Sequence, residues 1–235
     1  MAERIETLVR SQQELLRNVS HELRSPLARL NVALGLAELR AGDEVKPALD
    51  RIGRETERLN ELIGRLLTLS KLETGDIEMR TECIDLTEIL ERVVDDANFE
   101  LSQTTNRVQL DSPGRVPVDA SPDLLHSALE NVVRNAIRFT AEDRGVTVQL
   151  SVAEEAEGRR AVVRVRDYGP GIPDDELSEV FHPFHRLEEA RQRETGGAGL
   201  GLAIAKQAVE AHGGAIVAEN PPGGGLEVII TLPVS

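Results

Sequence analysis

The sequence predicts an α+β chain in two parts, an antiparallel helical hairpin over residues 1–74 and a mixed α/β layered domain over residues 75–235. Three observations lead there. Apolar residues recur every three or four positions in two successive stretches before residue 74. Beyond Thr74-Gly75-Asp76 the pattern changes to short runs of strand type. Those runs alternate with further helical patterns, as expected where helices cover a sheet.

The first helical stripe is Leu16, Val19, Leu23, Leu27, Leu30, Leu34 and Ala37, all on one face. The second is Leu49, Ile52, Leu59, Ile63, Leu66 and Leu69, set off from the first by the breaker-rich residues 41–47, which include Gly42 and Pro47. A lone pair of helices cannot enclose an apolar stripe on both partners. The expectation is therefore a homodimer whose two hairpins form a four-helix bundle.

In the second part, a short strand around Ile84 to Leu86 leads into a helix from Glu88 to about Leu101. Further strands are expected at Arg107–Leu110, Val146–Val152, Ala161–Arg166, Ala215–Ala218 and Leu226–Leu232, with helices near 122–139 and 200–212. Ser121-Pro122-Asp123 is a helix start, because serine caps free amides, proline is tolerated at the first position and aspartate complements the dipole. Glu157-Gly158 and Gly223-Gly224-Gly225 read as hairpin turns, the latter joining the last two strands. No internal repeat is evident.

Composition narrows the function. A net charge of −14 without a basic cluster argues against wrapping nucleic acid, so an anionic ligand must meet locally placed cations. The single Cys83 forms no internal disulfide and builds no thiolate cluster, and it reads as a small buried hydrophobe. No apolar run approaches the roughly 18 to 20 residues that span a bilayer, and the charged start lacks a signal-peptide core. The chain as given is expected to be soluble.

His21 lies in the segment NVSHELRSPL, residues 18–27, within the first helix. At about 100° per residue its side chain points away from the Leu23 stripe, into solvent. With a reference pKa of about 6.5 the imidazole is largely neutral at neutral pH and keeps one nitrogen lone pair for nucleophilic attack. Glu22 is placed to orient the ring or remove its proton. Pro26 deprives the Glu22 carbonyl of its helical donor, so a bend is expected one turn past the histidine. His126, His182, His185 and His212 lack such a setting and read as structural or exposed.

A phosphate donor is suggested by four later segments. Asn131, Asn135 and Arg138 share one helix face; amide oxygens suit magnesium carrying phosphate, Arg138 suits phosphate or ribose, and Phe139 offers an apolar wall. Asp167 ends a strand and precedes Gly169, Gly171 and Ile172. Its carboxylate can accept from the exocyclic amine of adenine while the glycines admit the ring. Gly196 to Leu202 opens a helix whose free amides suit polyphosphate. Between them, Phe181 to Thr195, with Arg186, Arg191 and Arg193, has the length and polarity of a lid. The glycine run matches neither the phosphate-loop nor the dinucleotide pattern.

In order and spacing these segments resemble the core of a two-component sensor histidine kinase. Residues 18–27 resemble its phosphoacceptor box, 130–139 its asparagine box, 165–173 and 196–202 its two glycine boxes, and 181–186 its phenylalanine box. The resemblance covers nearly the whole chain. It implies a dimerisation and phosphotransfer hairpin followed by a gyrase-like ATP-binding α/β sandwich, using ATP and Mg2+. By similarity, His21 is the phosphoacceptor, Glu22 its acid/base partner, Asn135 the metal ligand and Asp167 the adenine acceptor. Gly197, Gly199, Leu200, Gly201 and Leu202 match the triphosphate segment, and Arg186 is the lid cation. The implied partner is the receiver domain of a response regulator, phosphorylated on aspartate.

Many members also dephosphorylate that partner with a Thr or Asn four residues after the histidine. Ser25 stands there, and its hydroxyl can orient water. Sensor and membrane segments usually precede such a core, so the sequence reads as the cytoplasmic portion of an inner-membrane sensor. A gyrase-like ATPase or serine kinase using only the second part, and a nucleotide-binding scaffold, are the rival readings.

Overall fold

The computed structural model describes residues 26–30, 32–37, 39, 42, 44–75, 79–101, 107–141, 144–156, 158–187 and 198–235. The chain separates into two compact units, Met1–Ile77 and Glu78–Ser235.

In the first unit, residues 26–30 and 32–37 are helical, and α1 spans Lys46–Thr74. Pro47 sits in its first turn, where a missing N–H is harmless. Gly75 ends it in the left-handed conformation (φ 68°), its N–H donating to the Leu72 carbonyl. The buried residues of α1 are Thr56, Leu67, Leu69, Ser70 and Leu72, with the Thr56 hydroxyl satisfied by the Ile52 carbonyl at 2.8 Å. The predicted stripe is only partly covered. Leu27 and Leu69 are buried, whereas Leu30, Ile52 and Leu59 are exposed, as are Val32 and Leu36 outside the stripe. The bend expected beyond His21 lies outside the described residues.

The second unit is a five-stranded sheet with helices on one face and a two-stranded sheet beside it. Its elements are β1 (Glu82–Asp85), α2 (Leu86–Glu100), β2 (Val108–Asp111), β3 (Pro117–Ala120), α3 (Pro122–Phe139), β4 (Val146–Glu155), β5 (Gly158–Arg166), α4 (Gly201–Ala211), β6 (Ala215–Glu219) and β7 (Glu227–Pro233). Two single-turn 3₁₀ helices, Asp174–Glu176 and Glu179–Phe181, precede α4. The main sheet runs β2-β4-β5-β7-β6, with β2 parallel to β4 and the other pairs antiparallel. The antiparallel β4–β5 and β6–β7 pairs sit on the two predicted hairpin turns.

Register builds the core in rows. Leu150 pairs with Val163, Val163 with Ile230 and Ile230 with Ile216; the next row is Val148, Val165, Val228 and Ala218. Against these rows α3 turns Leu125, Ala128, Leu129, Val132, Val133 and Ala136, all buried at helical spacing. Alternate strand positions carry Gln149, Arg164 and Glu227, with an ion pair between Arg164 and Glu227 at 2.9 Å.

Four expectations need correction. β1 ends at Asp85, and Leu86 is already helical, because Asp85 caps α2 by accepting the Thr87 N–H at 3.0 Å. β3 was not expected, since four residues led by a proline give little strand signal; it pairs with β1 from Asp85↔Pro117 to Glu82↔Ala120. Ser121 occupies the cap of α3 but makes no side-chain cap bond. Its N–H donates instead to Nε2 of buried His212, whose Nδ1 donates to the Ala208 carbonyl, so this histidine is structural. Cys83 is exposed rather than buried.

Removing core volume tests this packing. Leu129 is fully buried and Val217 is 53% exposed. Leu129→Ala should cost about 3 kcal/mol of unfolding free energy and Val217→Ala less than about 0.5 kcal/mol, measured by urea denaturation followed by circular dichroism.

Candidate functional site

β5 is the central strand of the sheet, and Asp167 follows it directly. The residue is 3% exposed, and its Oδ1 accepts two backbone hydrogen bonds, from Gly169 at 2.9 Å and Leu226 at 3.0 Å. Its own N–H donates to the Leu226 carbonyl at 2.9 Å. With Oδ1 saturated, Oδ2 is the oxygen left for an external donor. Burial raises the carboxyl above its ordinary pKa of 3.8, outweighing the two amide hydrogen bonds and the nearby Arg166 charge, all of which lower it.

The two glycines that follow are required sterically. A Cβ at Gly169 would collide with the Phe139 carbonyl. Gly171 is left-handed (φ 73°), with an added Cβ 3.0 Å from Asn220 Oδ1. On the other side Thr140, at the end of α3, accepts the Tyr168 N–H at 3.2 Å and donates to the Gly145 carbonyl at 2.9 Å. The loop after Asp167 is thereby seated on the C-terminus of α3. Two guanidinium groups lie over the Tyr168 ring, with Arg166 5.0 Å and Arg144 5.5 Å from its centroid.

α3 brings Asn131, Asn135, Arg138 and Phe139 to the flank of its buried stripe, the first two and Phe139 half-buried and Arg138 exposed. Asn131 is committed within the protein, Nδ2 donating to the Ser127 carbonyl at 2.9 Å and Oδ1 lying 3.1 Å from where a Gly201 Cβ would be. Gly201 thus lets α4 start against α3. Arg138 stacks over Phe139 at 5.3 Å.

α4 begins without a side-chain cap, so the amides of its first turn carry the positive end of the dipole with no side-chain acceptor. Leu200 and Leu202 are buried core residues, 1% and 9% exposed. Gly199 is left-handed (φ 71°), and an added Cβ would come 2.6 Å from the His185 carbonyl. Its own carbonyl accepts from Phe184 at 2.9 Å, which fixes Phe184 at φ 64°. His185 Nε2 stands 2.7 Å from Glu176 Oε2, a shielded approach without hydrogen-bond alignment. Residues 184–185 are therefore pinned to the head of α4, and Arg186 follows them.

The structure gathers the end of α3, the loop after β5 and the start of α4 in one unit. His21, Glu22, Ser25, Arg191, Arg193 and Gly197 lie outside the described residues. Four contributors, Thr140, Asn220, Gly225 and Leu226, were not anticipated, because their partners lie between 5 and 59 positions away. Only the turn chemistry around Gly225 hinted at any of them.

The comparisons agree with this geometry. Residues 120–235 match the family described as "Histidine kinase-, DNA gyrase B-, and HSP90-like ATPase", and residues 11–75 match the "His Kinase A (phospho-acceptor) domain". The chain is 37% identical over 235 residues to the sensor histidine kinase CpxA of Escherichia coli K12, covering all of this chain and 50% of that protein. It is 34% identical over 228 residues to the sensor protein kinase WalK of Staphylococcus aureus, covering 95% of this chain and 54% of that one. Among solved structures, the mycobacterial sensor histidine kinase MprB is 30% identical with TM-score 0.55, covering 66% of this chain and 97% of that one. Full-length ShkA in complex with AMPPNP is 27% identical with TM-score 0.78, covering 94% and 46%. The chain belongs to the sensor histidine kinase family. It spans about half the length of the curated relatives it matches.

The raised Asp167 pKa fixes the sign of a pH effect. A raised carboxyl favours the folded state below its ordinary value of 3.8 and loses that contribution as pH rises through the folded-state pKa. Asp167→Asn keeps an acceptor for both amides and removes the buried charge. Its stability relative to the unsubstituted protein should therefore rise as pH climbs from that ordinary value through the folded-state pKa and level off above it, read as the difference in urea midpoints. A flat difference would contradict the burial account.

Proposed function

We propose that this chain is an ATP-dependent protein-histidine kinase core that phosphorylates its own His21 and passes the phosphoryl group to an aspartate on the receiver domain of a response regulator. The observation that carries the reading is the half-saturated, buried Asp167 carboxylate seated between the glycine-rich loop and the end of α3. A carboxylate with one free oxygen selects adenine, whose exocyclic amine donates, over guanine, which presents a carbonyl there. Gly169, Gly171 and Ile172 supply backbone against the base, and Phe139 an apolar edge.

The triphosphate lies along the uncapped start of α4, with Gly197, Gly199 and Gly201 allowing close approach and the backbones of Leu200 and Leu202 presenting amides. Arg138, on the asparagine face of α3, and Arg186, in the lid, are the cations that meet the phosphates. Asn135 fits a Mg2+ ligand: its amide is half-buried beside committed Asn131, and among the described residues no cluster of three or more acidic, His or Cys side chains offers a metal cage. Magnesium keeps waters and substrate phosphates among its ligands, so one amide oxygen would be the protein's contribution here. Bound there, the ion would supply neutralisation of the charge on the phosphates.

In the transfer itself the His21 imidazole nitrogen attacks the γ-phosphorus in line, the bond to the β-phosphate oxygen breaks and ADP leaves. Glu22 takes the proton from the other ring nitrogen. Residues 1–74 act as the dimerisation and phosphotransfer hairpin and residues 75–235 as the catalytic domain. The exposed Leu30, Val32, Leu36, Ile52 and Leu59 are the apolar surface that a second copy would cover in a homodimeric bundle. Ser25, one turn past His21, orients water for partner dephosphorylation. Among the described residues no helix is long and apolar enough to cross a membrane. The chain works on the cytoplasmic side, tethered through a sensor region elsewhere in the protein.

Incubation with γ-labelled ATP and Mg2+ tests the reading. Label should be acid-labile and alkali-stable, vanish in His21→Gln, and fall at least about a hundredfold in Asn135→Ala, both variants remaining folded. Acid-stable label, or label persisting in His21→Gln, would contradict it.

A further inference from the structure

Residues 220–226, the turn joining β6 to β7, hold the loop that follows Asp167 at successive points. Leu226 exchanges two hydrogen bonds with Asp167, at 2.9 and 3.0 Å. Gly225 faces the Asp167 carbonyl so closely that any side chain there would collide with it. Asn220 completes the grip with three hydrogen bonds. Its Oδ1 accepts the Ile172 N–H at 3.2 Å, and Nδ2 donates to the Ile172 carbonyl at 2.7 Å and to Asp174 Oδ1 at 2.8 Å.

One side-chain amide thus satisfies both backbone groups of Ile172, as a neighbouring strand would. The segment 170–173 has no ladder or helix of its own to do so. Gly171 lies under the same amide, with an added Cβ only 3.0 Å from Asn220 Oδ1, and its left-handed backbone (φ 73°) disfavours any side chain. The chemistry is particular to asparagine. Aspartate keeps the acceptor but loses both donors and sets a second carboxylate beside Asp174, and alanine keeps nothing.

We infer that Asn220 is a specificity-determining positioning residue, which fixes Gly171 and Ile172 so that the base meets Asp167 Oδ2 in register. The inference rests on the adenine reading above. Asn220 acts through the loop, so its loss should weaken reading of the exocyclic amine more than general nucleotide contact.

The test is calorimetric binding of ADP and of IDP, whose base carries a carbonyl where adenine has the amine. It uses the full chain, Asn220→Ala and Asn220→Asp, with thermal midpoints as the check on folding. The unsubstituted protein should prefer ADP. In Asn220→Ala, ADP affinity should fall about tenfold and IDP affinity less than about threefold, narrowing the preference. Asn220→Asp, which preserves shape, should narrow it at least as much. A folded variant that keeps the original ADP-to-IDP ratio, even with both affinities lowered, would overturn the role of Asn220. Equal binding of ADP and IDP by the unsubstituted protein would instead overturn the adenine reading, and this inference with it.

Discussion

Taking a carboxylate out of water costs several kcal/mol unless hydrogen bonds replace the lost hydration. Asp167, at the end of the central strand, offsets part of that cost with two backbone amides, Gly169 ahead of it and Leu226 at the entry to β7. The arrangement closes only if the backbone packs without side chains at two places. Gly169 abuts the Phe139 carbonyl and Gly225 abuts the Asp167 carbonyl. The glycines are therefore consequences of the buried acid as much as accommodations for a ligand. The same interactions join the end of α3, the loop after β5 and the β6–β7 turn.

α3 carries two roles on one cylinder. Its buried stripe locks onto the rows of Val148, Leu150, Val163 and Val165, which sets the helix's rotation. That rotation decides where Asn131, Asn135 and Arg138 point, so core packing and site geometry cannot vary independently. α4 is held to α3 through the Gly201–Asn131 contact, and its head is held to residues 184–185 through Gly199. The polar site is in this sense the rim of the hydrophobic core.

Much of this was legible in the sequence because periodicity and turn chemistry are local. The stripes, the glycine turns, the Asn131-Asn135-Arg138 face and the strand ending at Asp167 all appear as patterns within a few residues. What escaped depended on distant partners or on competition between groups. β3 is too short to show a period, and its partner β1 lies more than thirty positions away. Ser121 has the chemistry of a cap, yet its side chain makes no cap bond, and nothing local shows that its N–H donates to His212, 91 residues on. Asn220 looks like an ordinary turn residue before two prolines, and only the fold brings it to Ile172. In the hairpin, spacing predicted the stripe but not that Thr56 would be buried while Ile52 and Leu59 stay exposed.

The central claim is that Asp167 is a buried, half-satisfied carboxylate whose remaining oxygen receives a donor from the adenine base. Its titration can be followed directly through the side-chain carboxyl carbon by NMR, with and without ADP. In the free protein the midpoint should lie above the ordinary carboxyl value of 3.8, because burial dominates. With ADP it should move down, because a new hydrogen bond favours the charged form. A midpoint that ADP leaves unchanged or raises would contradict the account, as would a free-protein value at or below the ordinary one.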